Sequence, residues 1–267
     1  MLTRSLWTLT LLSMIATAAP PAHAQTPPPL PSVAGTDETS THAPAAAGDH
    51  VPSVSELVTG TFTNFKRLPS MSNIAWLTAG GVAAAAAHRA DADVTRVLAG
   101  SAGLQEPFKA GAALGGTPLE LGAAFATYGL GRKFGNARVA RVGADLVQAQ
   151  VMAEVLTFGV KQAARRARPA GSGYSFPSGH TTVTFASATV LQRHFGWRIG
   201  LPAYAVASYV ATSRVQQRRH YLSDVAFGAA LGSVAGRTVV VGRRHAIEIG
   251  PMAAPGGAGL SFNWIRR

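Results

Sequence analysis

Residues 144–164 read ADLVQAQVMAEVLTFGVKQAA, and the chain runs on through RRARPAGSGYSFPSGH to His180. The first stretch is the longest clean helix in the sequence. Pro169, Gly171, Gly173 and Pro177 make the second a loop. Working outward, residues 73–88 are Ala-rich and apolar, with Ser72 or Asn73 available as N-cap. Thr117-Pro118 opens a helix to about residue 132, with proline at its first position. Segments 181–194, 199–212 and 222–239 complete a set of six. Residues 94–116 are interrupted by Pro107 and several glycines. After Gly242 the pattern alternates over 246–250 and 259–264, around Pro255-Gly256-Gly257, which predicts a short terminal β-hairpin. The expected fold is all-α: a six-helix bundle over residues 54–242, followed by a tail, 243–267, holding the hairpin.

Composition narrows the chemistry. The 267 residues carry Lys+Arg 24 against Asp+Glu 12, a net charge of +12, yet only 13% of them are charged. That balance points to anionic partners: nucleic acid, a lipid headgroup surface or a phosphorylated substrate. There is no cysteine, which excludes a disulfide scaffold, thiolate zinc sites and cysteine nucleophiles. Arg4, an apolar run over 6–19 and Ala22-His23-Ala24 have the layout of a secretory signal peptide, residues 1–24, cleaved before Gln25. Residues 25–53, with Pro27, Pro28, Pro29, Pro31 and Pro44, read as a flexible leader. An exported protein, periplasmic or in the cell envelope, makes nucleic acid a poor partner. The stretch 68–87 is uncharged and long enough to span a bilayer, whereas 199–213 is too short and the Ala-rich helices are weak insertion signals. A soluble or membrane-peripheral protein is therefore favoured over an integral inner-membrane one.

Three clusters carry chemistry: Lys161 with Arg168-Pro169, then Pro177-Ser178-Gly179-His180, then Ser213-Arg214 with His220 and Asp224. Singly, each has an ordinary explanation: cations at a helix C-terminus, a Ser N-cap, a surface hydrogen-bonded pair four residues apart. Together they match what phosphoryl transfer needs. Lys161, Arg168 and Arg214 supply cations, and arginine clamps phosphate oxygens in pairs. Ser178 and the N–H groups of Gly179 and His180 open a helix, where an anion is favoured, and Gly179 allows close approach. His220 is a candidate nucleophile with Asp224 fixing its tautomer, and His180 is free to protonate the leaving group.

In order and spacing these blocks resemble the signature of the type 2 phosphatidic acid phosphatase superfamily, which also holds bacterial non-specific acid phosphatases and vanadium haloperoxidases. The resemblance implies a helical bundle with its site at one end. It implies a phosphohistidine on His220, oriented by Asp224, with His180 as general acid, and phosphate held by Lys161, Arg168, Ser178, Gly179 and Arg214. It implies no metal and no cofactor. The substrate would be a phosphorylated lipid or small molecule. Two alternatives use the same residues: a vanadate-dependent haloperoxidase, holding vanadate in that pocket, and a non-catalytic anion-binding envelope protein. One position departs from the pattern. Many members have Gly two residues before the nucleophilic histidine, whereas this chain has Arg218. The remaining histidines, His88, His194 and His245, lie beside charged residues at element ends, where solvated or capping roles are expected, and His23, His42 and His50 fall in the signal and leader.

Overall fold

A computed structural model describes residues 50–254 and 257–266, all within one contact unit, Pro44–Arg267. The expected signal peptide and most of the expected leader lie outside the described residues. The helices are α1 (Val54–Arg67), α2 (Met71–His88), α3 (Asp91–Gly100), the single turns α4 (Gln105–Phe108) and α5 (Gly111–Leu114), α6 (Thr117–Lys133), α7 (Ala137–Ala164), α8 (Gly179–Phe195), α9 (Trp197–Gln216) and α10 (Leu222–Arg244). Two strands follow, β1 (His245–Ala254) and β2 (Gly257–Arg266), paired antiparallel with His245 opposite Arg266 and Ala254 opposite Gly257.

The count of six was too low. Helix α1 begins with a capping box, Ser53 and Glu56 bonding each other's backbone N–H, which composition around the leader obscured. Helix α3 has no side-chain cap, so tertiary bonds rather than a local start signal define it. Helix α7 starts at Ala137, before the expected 144, because Gly143 is a packing position and not a break: a Cβ there would lie 2.2 Å from Tyr128 N on α6. The last leader residues are also tied down, since the Pro52 carbonyl accepts from Tyr128 Oη at 3.0 Å and Arg132 Nη1 at 2.7 Å.

Helix α7 is the centre. From Ala140 to Ala153 nearly every residue is buried, among them Val142, Leu146, Met152 and the polar pair Gln148 and Gln150. Bulky apolar residues are scarce in this core, and close backbone approach takes their place. Between α8 and α10 the approach forms a ladder. A Cβ on Gly228 would meet Ser178 O at 2.9 Å, on Gly232 Thr182 O at 2.1 Å, and on Gly236 Ala186 O at 2.6 Å. Each step is four residues on both helices, so one register sets where the start of α8 lies against the start of α10. Among the described residues no helix is long and apolar enough to cross a membrane. Several large apolar side chains are nonetheless exposed, including Met71 (81%), Trp197 (66%) and Leu201 (68%).

Candidate active site

The C-terminus of α7 and the loop after it build one wall. Lys161, in the last turn, donates from Nζ to the carbonyls of Tyr174 (3.1 Å) and Pro177 (2.6 Å). It thereby staples the loop while carrying a cation. Burial, with the Arg168 charge beside it, pushes its ammonium down to about 8. Arg168 donates from Nε to the same Tyr174 carbonyl at 3.3 Å, and burial and Arg219 lower its guanidinium from the ordinary value. Gly173 turns the loop back at φ +92° against the Arg168 guanidinium, a conformation that only glycine adopts freely.

The start of α8 is the second wall. Ser178 occupies the N-cap position, but its hydroxyl accepts from Thr181 Oγ1 at 3.0 Å and no side chain caps the helix. The ordinary N-cap reading of Pro-Ser-Gly-His therefore fails here. The N–H groups of Gly179 and His180 begin a helix without a capping side chain, an arrangement suited to an anion. Ser178 N donates to Asp224 O at 3.1 Å, fastening α8 to α10. His180 is half-buried. Burial, then the charges of Arg214, His220 and Arg168, push it down to about 4, against the Ala112 carbonyl.

Helix α9 ends in a Schellman turn: Arg218 N donates to Val215 O at 2.9 Å and Arg219 N to Arg214 O at 3.0 Å. The turn requires a left-handed residue, and Arg218 takes it at φ +55°. Glycine would meet that demand without strain. Arg214 is 6% exposed and donates from Nη1 to Gln217 Oε1 at 2.6 Å, while its Nε has no partner among the described residues. Burial, with Arg219 and Arg168, holds it down to about 10.

His220 follows directly and is buried. Its Nδ1 lies 2.7 Å from the Ser175 carbonyl and 3.7 Å from Asp224 Oδ2. A carbonyl only accepts, so Nδ1 carries the proton and Nε2 keeps its lone pair. The Ser175 carbonyl is the nearer acceptor, and the Asp224 carboxylate, on the same side of the ring, favours the same tautomer. Asp224 is fully buried because it serves α10 itself, accepting from Tyr221 N at 2.8 Å as half a capping box. Burial pushes His220 below its ordinary value, with Asp224 and the Ser175 carbonyl opposing.

All eight expected residues gather where the ends of α7 and α9 meet the starts of α8 and α10. Sequence reasoning missed four features around them. Arg166, inside the first block, donates to Asp224 Oδ1 at 2.8 Å; its place two residues before Arg168 was the available signal. Asp91 and Ser175 had none. The segment 105–116 forms a further wall, Gln217 Nε2 reaching Phe108 O at 2.9 Å and a Cβ on Gly111 meeting Ser213 Oγ at 2.1 Å. One histidine expected to be solvated is largely buried, His194, which pairs with Asp145 at 2.9 Å; His88 stays exposed at the end of α2 while its Nδ1 reaches buried Asp91 at 2.8 Å.

Known proteins resemble this chain in part. Residues 160–247 match the sequence model of the PAP2 superfamily. A lipid A 1-phosphatase of Porphyromonas gingivalis is 38% identical over 99 residues, 36% of this chain and 21% of that one. A decaprenylphosphoryl-5-phosphoribose phosphatase of Mycobacterium tuberculosis is 39% identical over 90 residues, 30% of this chain and 49% of that one. The match thus spans about a fifth of the first relative and about half of the second. A transmembrane PAP2-type phosphatidylglycerolphosphate phosphatase from Bacillus subtilis superposes with a TM-score of 0.52 at 21% identity, over 63% of this chain and 92% of its own, which is a likeness of fold. Through residues 160–247 the chain is therefore similar to the PAP2 superfamily.

Proposed function

We propose that the protein is a phosphoric ester hydrolase acting on phosphomonoesters, lipid phosphates foremost, through a phosphohistidine on His220. The observation that carries this reading is the state of His220: its Nδ1 proton is committed to the Ser175 carbonyl, which leaves Nε2 as a nucleophile. The phosphate would sit between the guanidiniums of Arg168 and Arg214 and the N–H groups of Gly179 and His180, with Lys161 and Ser178 behind them. In the first step Nε2 attacks phosphorus while His180 gives its proton to the departing alkoxide. In the second, His180 takes a proton from water, the hydroxide attacks phosphorus, and the P–N bond breaks to release phosphate and restore both rings.

The names of the curated relatives, a lipid A phosphatase and a decaprenylphosphoryl sugar phosphatase, support a lipid substrate. So do the exposed apolar residues of α2 and α9, such as Met71, Ile74, Trp197 and Leu201, which suit a membrane surface. The signal-like residues 1–24 support export.

The test uses purified protein in chelator. It should hydrolyse p-nitrophenyl phosphate and a panel of phosphatidic acid, prenyl phosphate and lipid A phosphate, and acid-labile phosphoprotein should be trapped in wild type but not in His220→Ala. Near wild-type kcat in His220→Ala would remove the nucleophile assignment. Halide oxidation with vanadate and peroxide, without ester hydrolysis, would overturn the reading.

A further inference from the structure

Behind His220 lies a bonded cluster that the proposed steps do not use. Arg166 donates from Nη1 to Asp224 Oδ1 (2.8 Å) and Ser223 Oγ (2.7 Å), and from Nη2 to Asp91 Oδ2 (2.7 Å). Its guanidinium lies 4.1 Å from the centre of the Tyr221 ring. Asp91, the first residue of α3, accepts on Oδ1 from Ser223 N at 2.8 Å and on Oδ2 from Ser223 Oγ at 2.6 Å. Side-chain exposures are 5% for Asp91, 24% for Arg166 and 0% for Asp224. Two buried carboxylates thus share one guanidinium, and removing that guanidinium leaves both without an opposite charge.

We propose that Asp91 and Arg166 form a positioning clamp that holds the Asp224 carboxylate in place and sets how strongly its charge acts on His220. This rests on His220 being the reacting histidine. Since Asp224 reaches Nδ1 only at 3.7 Å, its influence is electrostatic, and a cation hydrogen-bonded to its other oxygen moderates it directly. Other titratable groups acting on His220 are Lys161 from α7 and His180 from α8. His88, at the end of α2, faces the clamp through Asp91. Arg166 and Asp91 touch no reacting atom; they act through Asp224.

Opposite charge changes in one clamp must move His220 in opposite directions, which structural damage would not do. The readout is the NMR titration of the His220 imidazole, assigned with His220→Gln, beside kcat and KM on p-nitrophenyl phosphate. Arg166→Gln removes a cation and should raise the His220 midpoint by about half a pH unit or more, and Asp91→Asn removes an anion and should lower it. Both should lose roughly tenfold or more in kcat with KM within about threefold. Arg166→Lys, which keeps the charge but loses the fork, should leave the midpoint near wild type while kcat falls. Midpoints that stay fixed or move the same way would overturn the clamp. If Arg166→Gln does not fold, an Asp91→Asn midpoint not below that of Arg166→Lys overturns it equally. Midpoints that move as expected in a protein hydrolysing no phosphate ester would leave the clamp standing and remove the proposed function instead.

Discussion

His220 and His180 feel each other's charge, yet the proposed chemistry asks opposite protonation states of them. His220 must begin neutral, and burial favours that. His180 must begin protonated, although burial and the arginines push it down to about 4. A bound phosphate ester supplies the missing counter-charge and draws it upward. For an alkyl phosphate, the alkaline limb of kcat/KM should therefore fall at lower pH than that of kcat. His180→Ala should cost roughly 10²-fold or more on the alkyl ester, whose leaving alkoxide needs a proton, and far less on p-nitrophenyl phosphate. Equal losses on both esters would make His180 a binding group only. Gly179 offers a cleaner separation. A Cβ there would meet only Thr157 Cγ2, at 3.5 Å, so the protein's own packing does not require glycine. Gly179→Ala should keep stability within about 1 kcal/mol while kcat/KM falls, as thermal melts and kinetics on one preparation would show. Unchanged kinetics would place the phosphate away from this backbone.

At the scale of elements, the glycine ladder between α8 and α10 does most to position the site. Its first step sets Gly228 against Ser178, and the same contact region bonds Ser178 N to Asp224 O at 3.1 Å. Gly232→Ala puts a methyl 2.1 Å from Thr182 O, so the helices must separate, at a cost of about 1–3 kcal/mol. Activity should fall further than stability, because separation moves the α8 start away from His220. Gly122→Ala on α6, where a Cβ meets nothing within 4 Å, is the control and should be neutral or stabilising by up to about 1 kcal/mol. A urea titration of both variants distinguishes them. Equal effects would mean that the ladder is not a constraint.

Over the whole molecule, the site gathers buried titratable groups, and folding answers to pH accordingly. His180 has a folded value near 4 against an ordinary 6.5. Between those values the unfolded chain binds the proton and the folded one does not, so stability is full above about 6.5 and declines as pH falls toward 4. The melting temperature should drop across that window, and His180→Gln should reduce the drop; an unchanged profile would show that His180 titrates normally. Glu56, held near 2 chiefly by the Ser53 backbone, loses its contribution from its ordinary 4.5 downward, so it overlaps His180 only at the acid end of that window.

The chain's helices and its three blocks were legible without coordinates, because proline, glycine and long apolar runs act within a few residues of themselves. Lys161, Arg168, Ser178, Gly179, His180, Arg214, His220 and Asp224 stand out by residue type, by spacing and by resemblance to a known signature. Helix α3 was not, since nothing local caps it and its first residue, Asp91, finds its partners 75 and 132 positions away at Arg166 and Ser223. Nor could sequence choose the acceptor for His220. A histidine and an aspartate four residues apart on paper invited a direct bond, whereas the folded loop brought a backbone carbonyl, Ser175, to 2.7 Å and left the carboxylate at 3.7 Å. Every residue has a carbonyl, so no sequence marks which one will be the partner. The eight candidate residues were thus legible in the sequence, while the partners around them, Arg166, Asp91 and Ser175, and what each residue bonds to were decided by tertiary structure, because hydrogen bonds depend on ångström distances between segments far apart in the chain.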